Sequence, residues 1–396
     1  MDSSAHINPL ASKTNSNDIT LEKNSQNNIT HRNANMDALR GFAIIGILFM
    51  NIFFMNDSFY GYATHYPQIQ SDLILEVFSN FFFEGRFITL LSILFGAGLY
   101  IQYSRYEANN LPSYPLLKRR LKWLAAFGLI HGVFIWGGDI LLSYAFSGFL
   151  VLNYHTCSIE QIKKRANQFM FVALLIITAV SLLIGEEYYY RGSELHLQQL
   201  ASWSAPYTDV LLLQLAQVGY MMLIIPLTLM WFLGGLMMWG MVLYRQGIFE
   251  HGLNRLTLMK CGLATLLLSS VDSLLSFSSN PIYVEFSTIM MMLSAIPMAL
   301  IYIHLIIKVC QNSKLILAPF QAVGKLAFSC YILQSIMGIS LFRYIAPELN
   351  TSLDRVEYIG IAVVMSVIQL ALAPLYLRYF KQGPLELLWR KLVSSK

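Results

Sequence analysis

Ten long apolar runs shape everything else this chain can do, near 41–56, 73–103, 120–136, 139–155, 167–184, 211–243, 258–278, 283–307, 326–345 and 356–377. A bilayer's hydrocarbon layer is about 30 Å thick and takes about 20 helical residues to cross. Backbone inside it must satisfy its own hydrogen bonds, which favours helices here over any open sheet. Charge is too scarce for the alternative: 12% of the 396 residues are charged and 56% are hydrophobic, whereas a water-soluble domain spends about a quarter of its residues on charge. The expected fold class is an all-α membrane protein, a polytopic bundle of about ten transmembrane helices with the N and C termini cytoplasmic.

Orientation follows from Lys and Arg, which collect on the cytoplasmic side. With the N-terminal tail inside, the inner segments hold 23 of the 27 basic residues, and only Arg86, Arg191, Arg343 and Arg355 fall outside. An odd number of spans would spoil that asymmetry. The second and sixth runs exceed a single span, so they are expected to tilt, break or begin in the interface. Pro226 and the pair Gly234-Gly235 are the expected kink points of the sixth.

Residues 1–31, rich in Asn and Ser, bury too little to offset their ordering entropy and read as a disordered polar cytoplasmic tail. The first forty residues lack an apolar core, so no cleavable signal peptide is expected. Residues 32–392 read as a single integral membrane domain. Its longest outer loop, 185–210, carries Glu186, Glu187, Glu194 and Asp209 with Tyr188, Tyr189, Tyr190 and Trp203, and is long enough for an amphipathic surface helix or lid. No internal repeat is visible, which weakens a two-half transporter design. The net charge of +5 is expected to sit mostly on the cytoplasmic rim. Insertion and anionic lipid explain it better than nucleic acid, which is excluded as a partner. Cys157, Cys261, Cys310 and Cys330 have no paired spacing, and neither a disulfide framework nor a metal site is expected.

Three segments could carry chemistry. In the first, Asp37, Arg40 and Asn51 share a helix. Arg40 and Asn51, eleven residues apart, lie about 20° apart around its axis and about 16 Å apart along it. Asp37 reads as a cap and Arg40 as an interface anchor, but a primary amide deep in a span, as at Asn51, needs a partner inside the bundle. The second holds a seam of small residues, Gly85, Thr89, Ser92 and Gly96, for close helix packing. Beside it, Glu84 and Arg86 point in different directions and seek different partners. Arg86, near the membrane on the unfavoured side, is a functional candidate, with a structural ion pair as the competing reading.

In the third, Gly137-Gly138 turns the chain between two antiparallel spans, and Asp139 caps the second. His131 lies about a turn and a half below, where Asp139 could orient its imidazole as a base; packing is the competing reading. His65, in the first outer loop, is the other candidate base. Tyr331, Gln334, Ser335 and Gly338 form a polar stripe that serves either as interhelical glue or as a substrate surface. The inner cluster Lys118, Arg119, Arg120 and Lys122 either grips a phosphate-bearing cosubstrate or only fixes topology. No phosphate-binding Gly loop, metal-spaced His pair or Gly-x-Ser-x-Gly elbow is present.

Several of these motifs resemble the bacterial membrane family catalogued as domain of unknown function 418. They are Asp37-Ala-Leu-Arg-Gly-Phe-Ala with Asn51, Gly85-Arg-Phe with Ser92-Ile-Leu-Phe-Gly-Ala-Gly98, and Gly138-Asp-Ile-Leu with Tyr144-Ala. Gly324-Lys-Leu-Ala with Tyr331-Ile-Leu-Gln-Ser335, and Gly383-Pro-Leu-Glu-Leu-Leu-Trp-Arg390, complete the set. The first spans are also distantly similar to heparan-α-glucosaminide N-acetyltransferase and the transmembrane acyltransferase superfamily. That resemblance implies a multi-pass protein of the bacterial inner membrane that moves an acyl group from cytoplasmic acyl-CoA to an extracytoplasmic hydroxyl or amine on a small-molecule, glycan or lipid acceptor. No tightly bound cofactor is implied. Asn51 matches the first-span Asn of that enzyme. His65 roughly matches its outer-loop catalytic His, with a spacing from Asn51 longer by a few residues; His131 is the alternative base.

On this reading Asn51 or Arg86 would stabilise the oxyanion, with Glu84, Tyr331 and Gln334 beside the substrate. Arg40 and the inner cluster would hold the CoA phosphates. A transporter or exporter of a small metabolite or lipid-linked group would use the same cavity without chemistry. A scaffold or sensor is the third reading. The oligomeric state is open, a homodimer included.

Overall fold

The computed structural model describes residues 34–56, 60–184, 189–278, 280–313 and 316–394, a span that begins beyond the N-terminal tail 1–31 and omits 185–188 of the outer loop. The helices are α1 (Ala34–Asn51), α2 (Gln70–Phe82), α3 (Arg86–Ala108), α4 (Ser113–Phe134), α5 (Leu141–Val151), α6 (Ile159–Ile184), α7 (Glu194–Ser204), α8 (Tyr207–Ile224) and α9 (Leu229–Arg245). They continue with α10 (Ile248–His251), α11 (Arg255–Ser276), α12 (Pro281–Asn312), α13 (Ala318–Lys325), α14 (Ala327–Ser340), α15 (Leu349–Ser352), α16 (Arg355–Tyr379) and α17 (Pro384–Ser394). Among the described residues there is no strand, only an isolated bridge between Thr64 and Tyr190.

Seven stretches of the described residues are long and apolar enough to cross a membrane: Ala34–Phe54, Gln70–Ala108, Tyr207–Ile224, Arg255–Ser276, Ile282–Asn312, Ala327–Ile345 and Arg355–Tyr379. Two shorter apolar helical stretches, Leu141–Tyr154 and Leu229–Arg245, accompany them. The outward faces confirm what solvent they meet. Leu263, Leu266, Leu267 and Leu274 on α11, and Val363, Val364 and Val367 on α16, are exposed. Contiguous apolar faces of this size are not left to water. The chain is a membrane protein.

Both over-long runs break. The second splits at Phe83–Gly85, where Gly85 takes φ 71°, a left-handed conformation that an L side chain resists. The sixth splits between Ile224 and Leu229, so Pro226 marks the break. Gly234 and Gly235 do not kink α9; they lie inside it, and Gly235 faces Met170 of α6. A glycine bends a helix only where tertiary packing asks it to, and here packing uses its small size.

Helix α1 is the hub, in contact with α3, α12, α13, α14 and α16. It meets α13 at two reciprocal glycines: a Cβ on Gly41 would lie 1.8 Å from the Phe320 carbonyl oxygen, and one on Gly324 1.8 Å from that of Asp37. Helix α9 is buried along most of Phe232–Leu243 and crosses α3 at the expected small-residue seam, with Gly96 against the Met237 carbonyl. The helical part of the outer loop, α7, is capped by Ser193, whose hydroxyl accepts from the His196 amide. Arg343 fastens it by donating to the carbonyls of Trp203 and Ala205 at 2.7 and 2.8 Å.

Candidate functional site

Two His–Asp pairs stand out, and they differ in kind. The first grows from the α4–α5 hairpin. Helix α4 ends at Phe134, residues 135–140 turn, and Asp139 arrives with its side chain directed back at both helices. Asp139 Oδ2 accepts from the Leu142 amide at 2.8 Å, which caps α5, and Oδ1 lies 2.8 Å from His131 Nδ1. Both side chains are buried, 1% and 4% exposed.

A carboxylate accepts, so Nδ1 carries the hydrogen and the neutral ring's lone pair is on Nε2. That nitrogen is buried without a hydrogen-bond partner among the described residues. Tyr331 of α14 closes the other side, its ring 5.4 Å from the imidazole and its hydroxyl accepting from the Ile140 amide at 3.3 Å. The result is an imidazole held in one tautomer with its basic nitrogen unspent. A packing histidine ordinarily satisfies both nitrogens.

The second pair lies where loops meet. His65 Nε2 is 2.7 Å from Asp354 Oδ1, and Arg191 Nη1 is 3.3 Å from the same oxygen. Arg191 also donates to the Leu353 carbonyl at 2.6 Å, and its own amide donates to Thr64. Nearby, Tyr62 donates to Asp72 Oδ2 at 2.6 Å, and Arg355 pairs with Glu76 at 3.1 Å. Burial, reinforced by the Asp72 carboxylate, pushes the Tyr62 hydroxyl well above the ordinary tyrosine range. This network ties the segment before α2, the segment before α7 and the start of α16 into one knot. His65 spends Nε2 on a carboxylate that a guanidinium already neutralises.

The remaining candidates are dispersed. Arg86 is fully buried and donates to Ser269 and Ser294 hydroxyls, both at 2.8 Å, and to the Glu84 carbonyl. It is thereby committed to α11 and α12, while His131 belongs with α5 and α14. With the Asn80 amide turned so that its nitrogen faces the carboxylate, Glu84 accepts from it at 2.8 Å, so the two neighbours' side chains seek different partners.

Gln334 is fully buried and donates to the Ile44 carbonyl at 2.9 Å and to Gln369 Oε1 at 3.0 Å, which makes it glue between α14, α1 and α16. Its Oε1 is buried without a hydrogen-bond partner among the described residues. Asn51 is half-buried at the last residue of α1, with no side-chain cap onto the 3-10 turn 52–54 that follows. It lies within the apolar stretch Ala34–Phe54, on the same helix as Arg40.

The inner basic residues divide. Arg40 pairs with Asp37 at 3.2 Å. Arg120 lies 3.7 Å over the Trp389 ring of α17, and Arg119 donates to the Val393 carbonyl at 3.2 Å. Lys118 and Lys122 are exposed. Trp389 in turn donates to the Arg120 carbonyl at 3.1 Å, so α17 clamps half of the cluster.

The sequence reading passed over Asp354, Tyr62, Asp72 and Asp272. Asp354 carried a signal: Asp354 and Glu357 open an apolar run in capping-box spacing, and the box forms. Asp272 was legible as an ionisable residue inside an apolar run. Tyr62 and Asp72 had none, since their pairing is a loop-to-helix contact.

Comparison with known proteins adds likeness but no chemistry. Residues 243–396 match the family described as "Protein of unknown function (DUF418)". The chain is 25% identical to uncharacterized protein YxaH of Bacillus subtilis (strain 168), over 90% of this chain and 92% of that one. It is 26% identical to uncharacterized protein YeiB of Escherichia coli (strain K12), over 91% and 96%. It is also 26% identical to an uncharacterized 39.9 kDa protein in the amylase 3' region of Bacillus acidopullulyticus, over 93% and 95%.

Proposed function

We propose that this chain, a member of the DUF418 family by its residues 243–396, is an integral membrane acyltransferase with His131 as its base. One observation carries the reading: the buried His131–Asp139 pair, oriented with Nε2 unpartnered. Nε2 takes the proton from an acceptor hydroxyl or amine as that heteroatom attacks the thioester carbonyl carbon of acyl-CoA. The carbon–sulfur bond breaks, and the imidazolium returns its proton to the CoA thiolate. Asp139 stabilises the imidazolium without itself taking the proton. A cavity of about 240 Å³ begins one turn along α4 from His131, with Phe134, Ile135, Trp203 and Ile339 as an apolar wall for an acyl chain and Gln214 and Arg343 among its polar lining. Lys118 and Lys122, exposed at the other end of α4, are the cations left to meet CoA phosphates.

The accompanying topology is ten spans in the bacterial inner membrane with both termini cytoplasmic. It joins α2 to α3 and α8 to α9 across their breaks and adds α4, α5 and α6. Cysteines placed at Asn109 and Glu194 should then be labelled from opposite sides of the membrane.

The chemical test is thiol release from acyl-CoA by the purified protein with hydroxyl and amine acceptors. His131→Gln should lower the rate by about 10²-fold or more, the usual range for a lost general base, and His65→Gln should not. Saturating acyl-CoA at a hundred times its dissociation constant should stabilise the fold by about 2.7 kcal/mol. No stabilisation by any acyl-CoA, from a folded protein, would end this reading. The two broken apolar stretches, one with buried charge beside its break, favour transport as the second reading; its mark would be flux in proteoliposomes without thiol release.

A further inference from the structure

A second polar cavity, of about 100 Å³, lies where α2 and the α2–α3 break meet α11 and α12. Its walls hold the carboxylates of Glu76, Glu84 and Asp272, the Asn80 amide, and the hydroxyls of Ser287 and Thr288. None of these groups has a part in the transfer chemistry above.

Charge within it does not balance. Glu76 is cancelled by Arg355 at 3.1 Å. Among the described residues no salt bridge reaches Glu84, and the neutral Asn80 amide, turned so that its nitrogen faces the carboxylate, donates to it. Asp272 is 3% exposed, and its Oδ2 has no hydrogen-bond partner. Arg86 is the nearby cation, but its donors go to Ser269, Ser294 and a carbonyl, and among the described residues no carboxylate is paired with it. With both ionised, two carboxylates against one guanidinium would leave one negative charge in excess at the buried Asp272; without a cation to offset it, a carboxyl keeps a proton instead. A buried charge without a partner is costly, and a cationic occupant offsets that cost.

The form of the cation follows from the spread of the acceptors. Among the described residues no three of His, Cys, Asp and Glu converge closely enough to hold a metal ion. An ammonium carries three N–H donors that reach separate acceptors, and the cavity has room for more than one water-sized group. We propose that this cavity binds a small organic molecule through a primary ammonium group, held by Asp272 and Glu84 with the neighbouring hydroxyls.

The inference is independent of the acyl-transfer reading and is tested without acyl-CoA. The full chain in detergent is unfolded thermally with methylammonium or ethanolammonium chloride, against sodium and tetramethylammonium chloride at equal ionic strength. The primary ammonium salts should raise the unfolding temperature saturably, while sodium and tetramethylammonium, which lack N–H donors, should not. Asp272→Asn and Glu84→Gln should each raise the half-maximal concentration about tenfold or more, as loss of a charge-assisted hydrogen bond does. Should Asp272→Asn fail to fold, Glu84→Gln decides alone. Equal shifts from all four salts, no shift in the folded wild type, or an undiminished shift in the folded variants would each overturn the proposal.

Discussion

Replacing Asp139 separates what its carboxylate does for the fold from what it does for the base. Asp139→Ala removes two contacts at once, the 2.8 Å bond from His131 Nδ1 and the 2.8 Å cap from the Leu142 amide. A buried donor left without a partner costs about 1–3 kcal/mol, and a lost helix cap about 1 kcal/mol. The sum, roughly 2–4 kcal/mol, should appear as a clear fall in unfolding temperature. Asp139→Asn behaves differently. Its amide oxygen can keep the Leu142 cap while its NH2 donates to Nδ1, provided the imidazole adopts the other tautomer. Both bonds survive, and the unpartnered Nε2 only exchanges a lone pair for an N–H, so the cost should stay below that of Asp139→Ala. The proton then sits on Nε2, which no longer carries a lone pair, and thiol release should fall by about 10²-fold or more. Thermal unfolding and thiol release, measured on both variants, read the two effects apart. An Asp139→Ala protein that unfolds at the wild-type temperature would refute the energetic argument. A fully active Asp139→Asn would refute the tautomer argument.

Gly41→Ala should lower the yield of folded protein and its unfolding temperature, because its Cβ would lie 1.8 Å from the Phe320 carbonyl and overpacking costs about 1–3 kcal/mol or more. Gly98→Ala, with nothing within 4 Å, should leave both unchanged or slightly improved. Gln334→Leu should cost about 1–3 kcal/mol by orphaning Gln369 Oε1, and adding Gln369→Leu should recover part of the loss, as thermal unfolding of the single and double variants will show. Because the folded Tyr62 hydroxyl titrates above its ordinary value of 10.0, its contribution is whole below that pH and is lost as pH rises above it toward the folded pKa. Tyr62→Phe should therefore be less stable than wild type at pH 7 and lose less stability between pH 10 and 11, measured by unfolding at each pH.

Much of the architecture was written locally. Length and apolarity of a run are properties of neighbouring residues, so the helices on either side of each break, the weak point at Pro226 and the cap at Asp139 could be read without a fold. The capping box at Asp354 belongs to the same class. Helix lengths were harder, since the place where α1 ends decides whether Asn51 lies deep in a helix or at its edge.

Partnership was another matter. His131 and Asp139 are close in sequence, and a hairpin brings them together almost unaided. His65 and Asp354 are 289 positions apart, and Gln334 and Ile44 290. Whether Gln334 is glue, whether Gly234-Gly235 bends a helix, and whether Arg86 meets a base or two serines all depend on which helix faces which. Local sequence sets how each helix forms and which residues it has to offer. Pairing across the bundle is set by shape and by the need of every buried polar group for a partner, so the knot around Asp354 and the unbalanced charge at Asp272 exist only in the folded chain.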